Sequence, residues 1–498
     1  MTQKMNHAAD RATGLVVLLI AIACSRLLTM YYMPLADLTE PRYAEIARVM
    51  AETGDWITPW FDHDTPFWGK PPLSFWLAAA SFRLFGVSDF TARLPSWLIT
   101  IATGYLVYLV AKQMNGRREA LWSLLIFASM PAVYIAGGTV MTDPFLMLGI
   151  TLSVASLCMM FEGRAAGWRW LFFVGIAIGL LAKGPVAIVI LGVGITMWLL
   201  WTRNWRLLLS GLPWFRGTLL MLALTVPWYI AAELKTPGFL EYYILGEHFY
   251  RFIDTGWKGD LYGIAHKETR GTIWLFFLYV TLPWGLTVLA VLGYRMIRKN
   301  AAGRSAPVSA CNSTDSLLVC CALAPAVFFT LSGNILWTYL LPGLPPFALM
   351  AGKLLVKWLD RRSAFSPTRL VPVLLFPLTI SIVVLYASLK TGIIESEKDL
   401  VNEYNRIRTE NSEPLRYIGV APFSARFYSA GKVKQLALDD AINMANTQTA
   451  KDIYLAVRDD QIKEFKNRCP QKCRMLASDL RYTLVVVPAD STDPWATR

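Results

Sequence analysis

"PPLSFWLAAASFRLFG", residues 71–86, reads either as a short membrane crossing or as a helix lying in the membrane surface. The choice sets the sidedness of everything after it, because each crossing reverses the face of the next loop. Basic residues in the later loops arbitrate. Lys112, Arg117 and Arg118 share one loop, Arg164 and Arg169 a second, and Arg203, Arg206 and Arg216 a third. Arg295, Arg298, Lys299 and Arg304 form a fourth, and Lys357, Arg361, Arg362 and Arg369 a fifth. Every second loop is basic, as cytoplasmic loops are under the positive-inside rule. A crossing at 71–86 would move all five outside, so parity predicts an amphipathic or re-entrant helix in the interface.

The composition agrees with a chain built for lipid. Of 498 residues, 55% are hydrophobic and only 17% charged, where a soluble domain carries about a quarter; mean hydropathy is +0.41. The net charge of +13 is accounted for by the topogenic loops, so no nucleic-acid partner is expected. The apolar run from Gly14 to Met33 is too long for a signal-peptide core and reads as an uncleaved anchor, its N-terminus with Lys4 and Arg11 in the cytoplasm. Further runs cover roughly 92–111, 119–136, 142–161, 168–182, 184–201, 216–232, 272–294, 316–332, 337–356 and 370–389. The expectation is an all-α polytopic membrane domain, residues 1–389, with about eleven spans (11 to 13) and interfacial helices in its first outer loop, 34–91. Residues 390–498 are ordinary in polarity, alternating short strands ("LRYIGVA", "DIYLAV", "YTLVVVP") with helical stretches such as "DDQIKEFKNR". They read as a small C-terminal α/β domain on the outer side. Cys469 and Cys473 within it either pair or remain free thiols.

Polar residues gather on the outer face. In "LADLTEPRYAEIARVMAETGDW", 35–56, Tyr43, Ile46, Ala47 and Met50 recur at helical spacing, Pro41 suits a first turn and Gly54 a stop. This predicts an amphipathic surface helix on which Glu45, Arg48 and Glu52 make solvated ion pairs. Asp37 and Glu40 stand before it, next to the end of a span. Lys70, between Gly69 and two prolines, is placed to meet a lipid phosphate, although interfacial lysines commonly just snorkel. Asp143 stands at the mouth of a span, where helix capping is the plain alternative. Lys183 stands alone between two apolar runs. "GEHFYRF" puts Glu247, His248 and Arg251 within one helical turn; His266 lies further along, and Tyr339 lies in "GNILWTYLLPGLPP". Asp62, His63 and Asp64 are adjacent but too few to define a metal site, and no metal or other cofactor is expected.

Five segments, "TEPRYAEIARVMAETGDWITP", "FWGKPPLSFW", "TDPFL", "LAKGP" and "GEHFYRF", with "TYLLPGLPP" as a weaker sixth, resemble in this order the bacterial GT-C type membrane glycosyltransferases. The likeness covers roughly residues 14–360 and is greatest to the aminoarabinose transferases that modify lipid A, with protein O-mannosyltransferases more distant. It implies a bacterial inner-membrane enzyme taking a sugar from undecaprenyl phosphate to lipid A or another periplasmic acceptor. It implies carboxylates at Asp37 or Glu40 and at Asp143, a carrier-phosphate contact at Lys70, and help from Arg251 and Tyr339. Two positions depart from the family: Thr39-Glu40 stands where Asp-Glu is usual, and Gly69 where Glu commonly precedes the lysine.

The inventory suits that chemistry. A polyprenyl phosphate leaving group needs cations as its bond breaks, and Lys70, Arg251 and Arg42 supply them. A hydroxyl acceptor needs a general base, for which Asp37, Glu40 or Asp143 qualify. A transporter or flippase would place ionisable residues deep within spans and often repeat itself internally; neither feature stands out.

Overall fold

The computed structural model describes residues 2–489 apart from 63, 165–166, 255–256, 263–265, 302–312, 361–378, 380–381, 384–385, 387–393, 411, 448–450 and 470–472. His63 and nearly all of the span expected at 370–389 lie outside the described residues.

Among the described residues, five helices are long and apolar enough to cross a membrane: Thr13–Tyr32, Asp89–Asn115, Asp143–Phe161, Trp214–Lys235 and Trp337–Asp360. Large apolar side chains such as Val17, Ile20, Leu28, Tyr105, Leu200, Phe215 and Leu219 are exposed along the helices, a surface that lipid covers in a multi-pass membrane protein. The expected runs at 168–182, 184–201 and 316–332 are the helices Gly167–Lys183, Val186–Thr202 and Ser313–Phe329, each of 17 residues. Two runs are broken by proline, which lacks the N–H that would continue the ladder. The run at 119–136 divides into Arg117–Ser129 and Pro131–Ala136. The run at 272–294, expected as one span, divides into Ile273–Val280 and Trp284–Ile297, bent by 95° beside Pro283.

Residues 71–86 form the helix Leu73–Phe85. Thirteen residues reach only about 20 Å, short of the ~30 Å hydrocarbon layer. Its Phe75, Ala78, Ala79 and Phe82 pack with Tyr43, Ala44, Ile46, Ala47 and Met50 of the helix Thr39–Thr53 in one apolar cluster. That helix stops at Gly54, whose φ of 73° is left-handed. The expected ion pairs form, and Glu52 is exposed as expected, but the expectation that Glu45 and Arg48 are solvated is corrected. Glu45 and Arg48 are buried, because the short helix Phe423–Tyr428 from the C-terminal region lies across Thr39–Thr53. Arg48 holds both Glu45 oxygens, at 2.7 and 2.8 Å.

Asp143–Phe161 and Gly167–Lys183 form an antiparallel hairpin with the most extensive helix contact in the molecule. Small residues permit it: Gly149 meets the backbone of Gly175 and Gly179 with no room for a side chain between. The hairpin brings its first residue, Asp143, level with its last, Lys183.

A short hairpin of β1 (Trp60–Asp62) and β2 (Thr65–Pro66) lies in the first loop. The C-terminal region is α/β, as expected. Its strands are β3 (Arg416–Ile418), β4 (Lys434–Leu436), β5 (Ile453–Arg458), β6 (Arg474–Ser478) and β7 (Tyr482–Val487), in one five-stranded sheet of order β4-β3-β5-β7-β6. β3 is parallel to β4 and β5, and β7 is antiparallel to β5 and β6. β5 shows the period of two directly. Tyr454 and Ala456 face the helix Lys398–Ile407, while Ile453, Leu455 and Val457 face Ile442 and Phe465 on the other side. Cys469 and Cys473 are joined as a disulfide.

Candidate active site

Three segments far apart in sequence converge where the hairpin ends. The first is Lys183-Gly184-Pro185. Gly184 has φ 74°, and a Cβ there would fall 2.1 Å from the Tyr243 hydroxyl, so the turn admits only glycine. The second is the π-helix Glu241–Tyr250, a wide turn that commonly marks functional positions. It presents Glu247 and His248, with Arg251 just beyond its end. The third is the turn before Leu73–Phe85, which delivers Lys70.

Lys70 Nζ donates to Glu247 Oε2 at 3.0 Å, and Arg251 Nη1 donates to both Glu247 oxygens at 3.0 and 3.1 Å. Asp260 supports Arg251 from behind at 3.3 Å. Lys183 Nζ is paired with Asp143 and lies 4.5 Å from the centre of the Tyr339 ring. Lys70, Lys183, Glu247, His248, Arg251 and Tyr339 all line one cavity, whose remaining wall is largely apolar. The lining thus presents three cations and one carboxylate, while Asp143 and Asp260 stand behind it. Arg251 Nε is buried without a partner.

The electrostatics reflect burial and these neighbours. Burial works against ionisation of Glu247, but Lys70 and then Arg251 outweigh it and hold its carboxyl below the usual carboxylate range. Burial pushes His248 down from its ordinary value, although the Tyr243 and Lys183 carbonyls, 2.8 and 3.2 Å from its two nitrogens, favour the proton. Through the Lys183 carbonyl, His248 ties the Lys183 turn to the π-helix. His266 is also pushed down, by burial and by Arg251.

The other expected residues lie apart from this lining. Glu40 is buried and accepts two hydrogen bonds from Arg93, at 3.0 and 2.8 Å, and one from the Val140 amide at 2.9 Å. Asp37 has no exposed side-chain surface. It accepts from Ser424 Oγ and Arg481 Nη2, both at 2.6 Å, in the C-terminal region. Arg42 donates to the Tyr262 carbonyl and packs on Tyr43 and Phe423. The His266 amide donates to Asn334 Oδ1 at 3.2 Å. Asp62 pairs with Arg426.

Asp260, Asn334 and Ser332 are additions that sequence reading missed. Asn334 is buried at the cavity wall with its Nδ2 unpartnered. All three sit in loops, where no periodicity marks them. Only the position of Asn334 beside Gly333, just before "ILWTYLLPG", gave a signal.

The chain resembles known proteins in sequence and in fold. The sequence profile of the dolichyl-phosphate-mannose-protein mannosyltransferase family matches residues 11–243. The undecaprenyl phosphate-alpha-4-amino-4-deoxy-L-arabinose arabinosyl transferase 1 of Pseudomonas fluorescens is 29% identical over 335 residues, 65% of this chain and 54% of that protein. The corresponding transferase of Erwinia tasmaniensis is 28% identical over 324 residues, 62% and 54%. The chain thus spans about half the length of these curated relatives. Among solved structures, ArnT from Cupriavidus metallidurans bound to undecaprenyl phosphate superposes with a TM-score of 0.76 at 18% identity, over 96% of this chain and 99% of that one. Its apo form gives 0.74. The resemblance carried by the five segments therefore holds: this chain has the fold of ArnT and is similar in sequence to the aminoarabinose and mannosyl transferases of the GT-C type.

Proposed function

We propose that the chain is an integral membrane glycosyltransferase, moving a sugar from undecaprenyl phosphate to a periplasmic acceptor. Lipid A and 4-amino-4-deoxy-L-arabinose are the leading acceptor and sugar. The observation that carries this reading is the cavity lining, where Lys70, Lys183 and Arg251 converge beside an apolar wall. A polyprenyl phosphate has that same division, a dianionic head on an apolar tail. In the relatives compared above, the named donor is such a lipid.

In this reading the three cations neutralise the phosphate as the glycosidic oxygen leaves, with Tyr339 beside them. Glu247 fixes the spacing of Lys70 and Arg251, and Asp143 aims Lys183. Charge held in place before the reaction needs no reorganisation during it. Of the three carboxylates considered as base, Asp37, Glu40 and Asp143, the last stands closest to the lining through Lys183 and is the first candidate to accept a proton from a hydroxyl acceptor; a phosphate acceptor needs positioning only. Asp37 and Glu40 act at a distance, by fixing the first loop that carries Lys70. Arg42 and His266 belong to the rim.

The topology proposed with this reading has the N-terminus in the cytoplasm, about eleven spans, and 71–86 in the interface of the bacterial inner membrane. The first outer loop 34–91 and a C-terminal domain, 390–498, then share the periplasmic side. The match of the mannosyltransferase profile favours one second reading, a protein hydroxyl as acceptor.

The deciding experiment is transfer in purified membranes from a polyprenyl-phosphate sugar to extracted lipid A, comparing wild type with Lys70→Ala and Arg251→Ala. Loss of transfer in both at normal protein level supports the enzyme and its cavity. Transfer that survives both rejects the assignment. Transfer to protein but not lipid A selects the second reading.

A further inference from the structure

A second opening lies away from the cavity just described. Between the helices Thr13–Tyr32 and Asp89–Asn115 runs a groove lined by apolar side chains including Leu19, Ile22, Ile101, Tyr105 and Phe127, with Arg26 among them. Arg26 is unusual for its setting. It stands within an apolar helix, about 9 Å along the axis from Tyr32 at its outer end. Among the described residues no carboxylate forms an ion pair with it. Its Nη2 donates to the Ile135 carbonyl at 2.7 Å and its Nη1 to Thr29 Oγ1 at 3.1 Å, while Nε is buried without a partner. The nearby Glu40 is already saturated by Arg93.

A lipid-level arginine ordinarily snorkels toward water. Arg26 follows that rule toward the loop 137–141: its Nη2 also donates to Thr139 Oγ1 at 3.4 Å, its guanidinium lies 5.1 Å from the centre of the Tyr134 ring, and a Cβ on Gly138 would fall 2.0 Å from its Nε. A cation held at this depth, at one end of an apolar groove, is complementary to an anionic head with a chain attached. We propose that this groove is a second lipid site, which takes one acyl chain of a phosphate-bearing membrane lipid and sets its phosphate on Arg26. The proposal concerns binding alone and does not depend on the transfer reaction.

Native mass spectrometry of the detergent-purified full chain with added phosphatidic acid tests it. Diacylglycerol supplies the chains without the phosphate, and inorganic phosphate the reverse. Wild type is expected to retain phosphatidic acid and neither control, and Arg26→Gln to weaken retention at least about tenfold, the scale of one charged hydrogen bond. Ala23→Trp, which fills the groove, is expected to abolish retention even should Arg26→Gln fail to fold, its own melting temperature being checked against wild type. Lys70→Ala is expected to leave it unchanged, which separates this site from the first cavity. Equal retention by wild type and Arg26→Gln, equal retention of diacylglycerol, capture of inorganic phosphate alone, or loss in Lys70→Ala would each overturn the proposal.

Discussion

Two clusters of buried ion pairs anchor this molecule, and they differ in how their donors are spent. Around Glu40, Arg93 is exhausted: besides both carboxylate oxygens it serves the carbonyls of Met30, Met33 and Pro34. Around Glu247, the two cations line a cavity, and Arg251 keeps a buried Nε in reserve. Both carboxylates are nearly wholly buried, Glu40 and Glu247 alike, so burial of the carboxylate alone does not separate the clusters. Completeness does. A saturated pair ties segments together, whereas an unsaturated one is built to receive something.

The comparison breaks most visibly if the saturated pair is opened. Arg93→Ala leaves Glu40 buried and alone, and is expected to destabilise the protein by about 3–5 kcal/mol. Reduced thermal stability in detergent, with low membrane yield, measures it. A wild-type melting temperature would show that Glu40 finds other compensation. On the unsaturated side, Lys70→Ala or Arg251→Ala should cost about 10²–10³ in transfer rate, the scale of losing one preorganised donor, with a melting temperature near wild type. A large stability loss with little loss of rate would reverse the roles of the two clusters.

A smaller effect is expected where Asp37 meets the C-terminal region. Glu397 is buried beside Asp37, Asp479, Arg481 and Tyr417. Burial, then Asp479, pushes its carboxyl up to about 8 against the opposing pull of Arg481. The folded state therefore holds this proton more tightly than the unfolded chain does. Its stabilisation is complete below the unfolded value of 4.5 and is lost as pH rises through about 8. Melting measured across that window should fall with pH, and Glu397→Gln should flatten the slope. The smallest effect belongs to Arg118 and Asp360, a pair about half exposed at the opposite, basic-loop end. Arg118→Ala should cost at most ~1 kcal/mol, and a greater loss in the melting temperature would show that exposure is a poor guide here.

Local features were legible in the sequence. Apolar runs marked most helices, Gly54 marked the end of one, and strand alternation gave three of the five strands of the C-terminal sheet. Composition could not supply pairing at long range. Lys183 finds Asp143 at a separation of 40 residues, and Arg481 finds Asp37 at 444. Neither partner carries a local sign of the other. The same limit explains the misread face of Thr39–Thr53, since Glu45 and Arg48 look solvated until a helix from residue 423 onward lies over them. Lys70 was marked by its own setting between Gly69 and two prolines, and the roles of Arg251 and Tyr339 came with the family likeness. The fold then brought them to one cavity with Lys183, while Asp37 and Glu40 were drawn into contacts of their own.

The π-helix at Glu241–Tyr250 has a consequence for how this segment tolerates change in length. A π turn accommodates more residues than an α turn, so it stores a residue that an α-helix would have to expel. Deleting one residue before Glu247 with the winding kept would turn the downstream side chains by roughly 80–100°. Glu247 and Arg251 would keep their mutual spacing but swing together away from Lys70. Length is therefore as much a constraint here as chemistry, and a single-residue deletion should do more harm than many substitutions within the same ten positions.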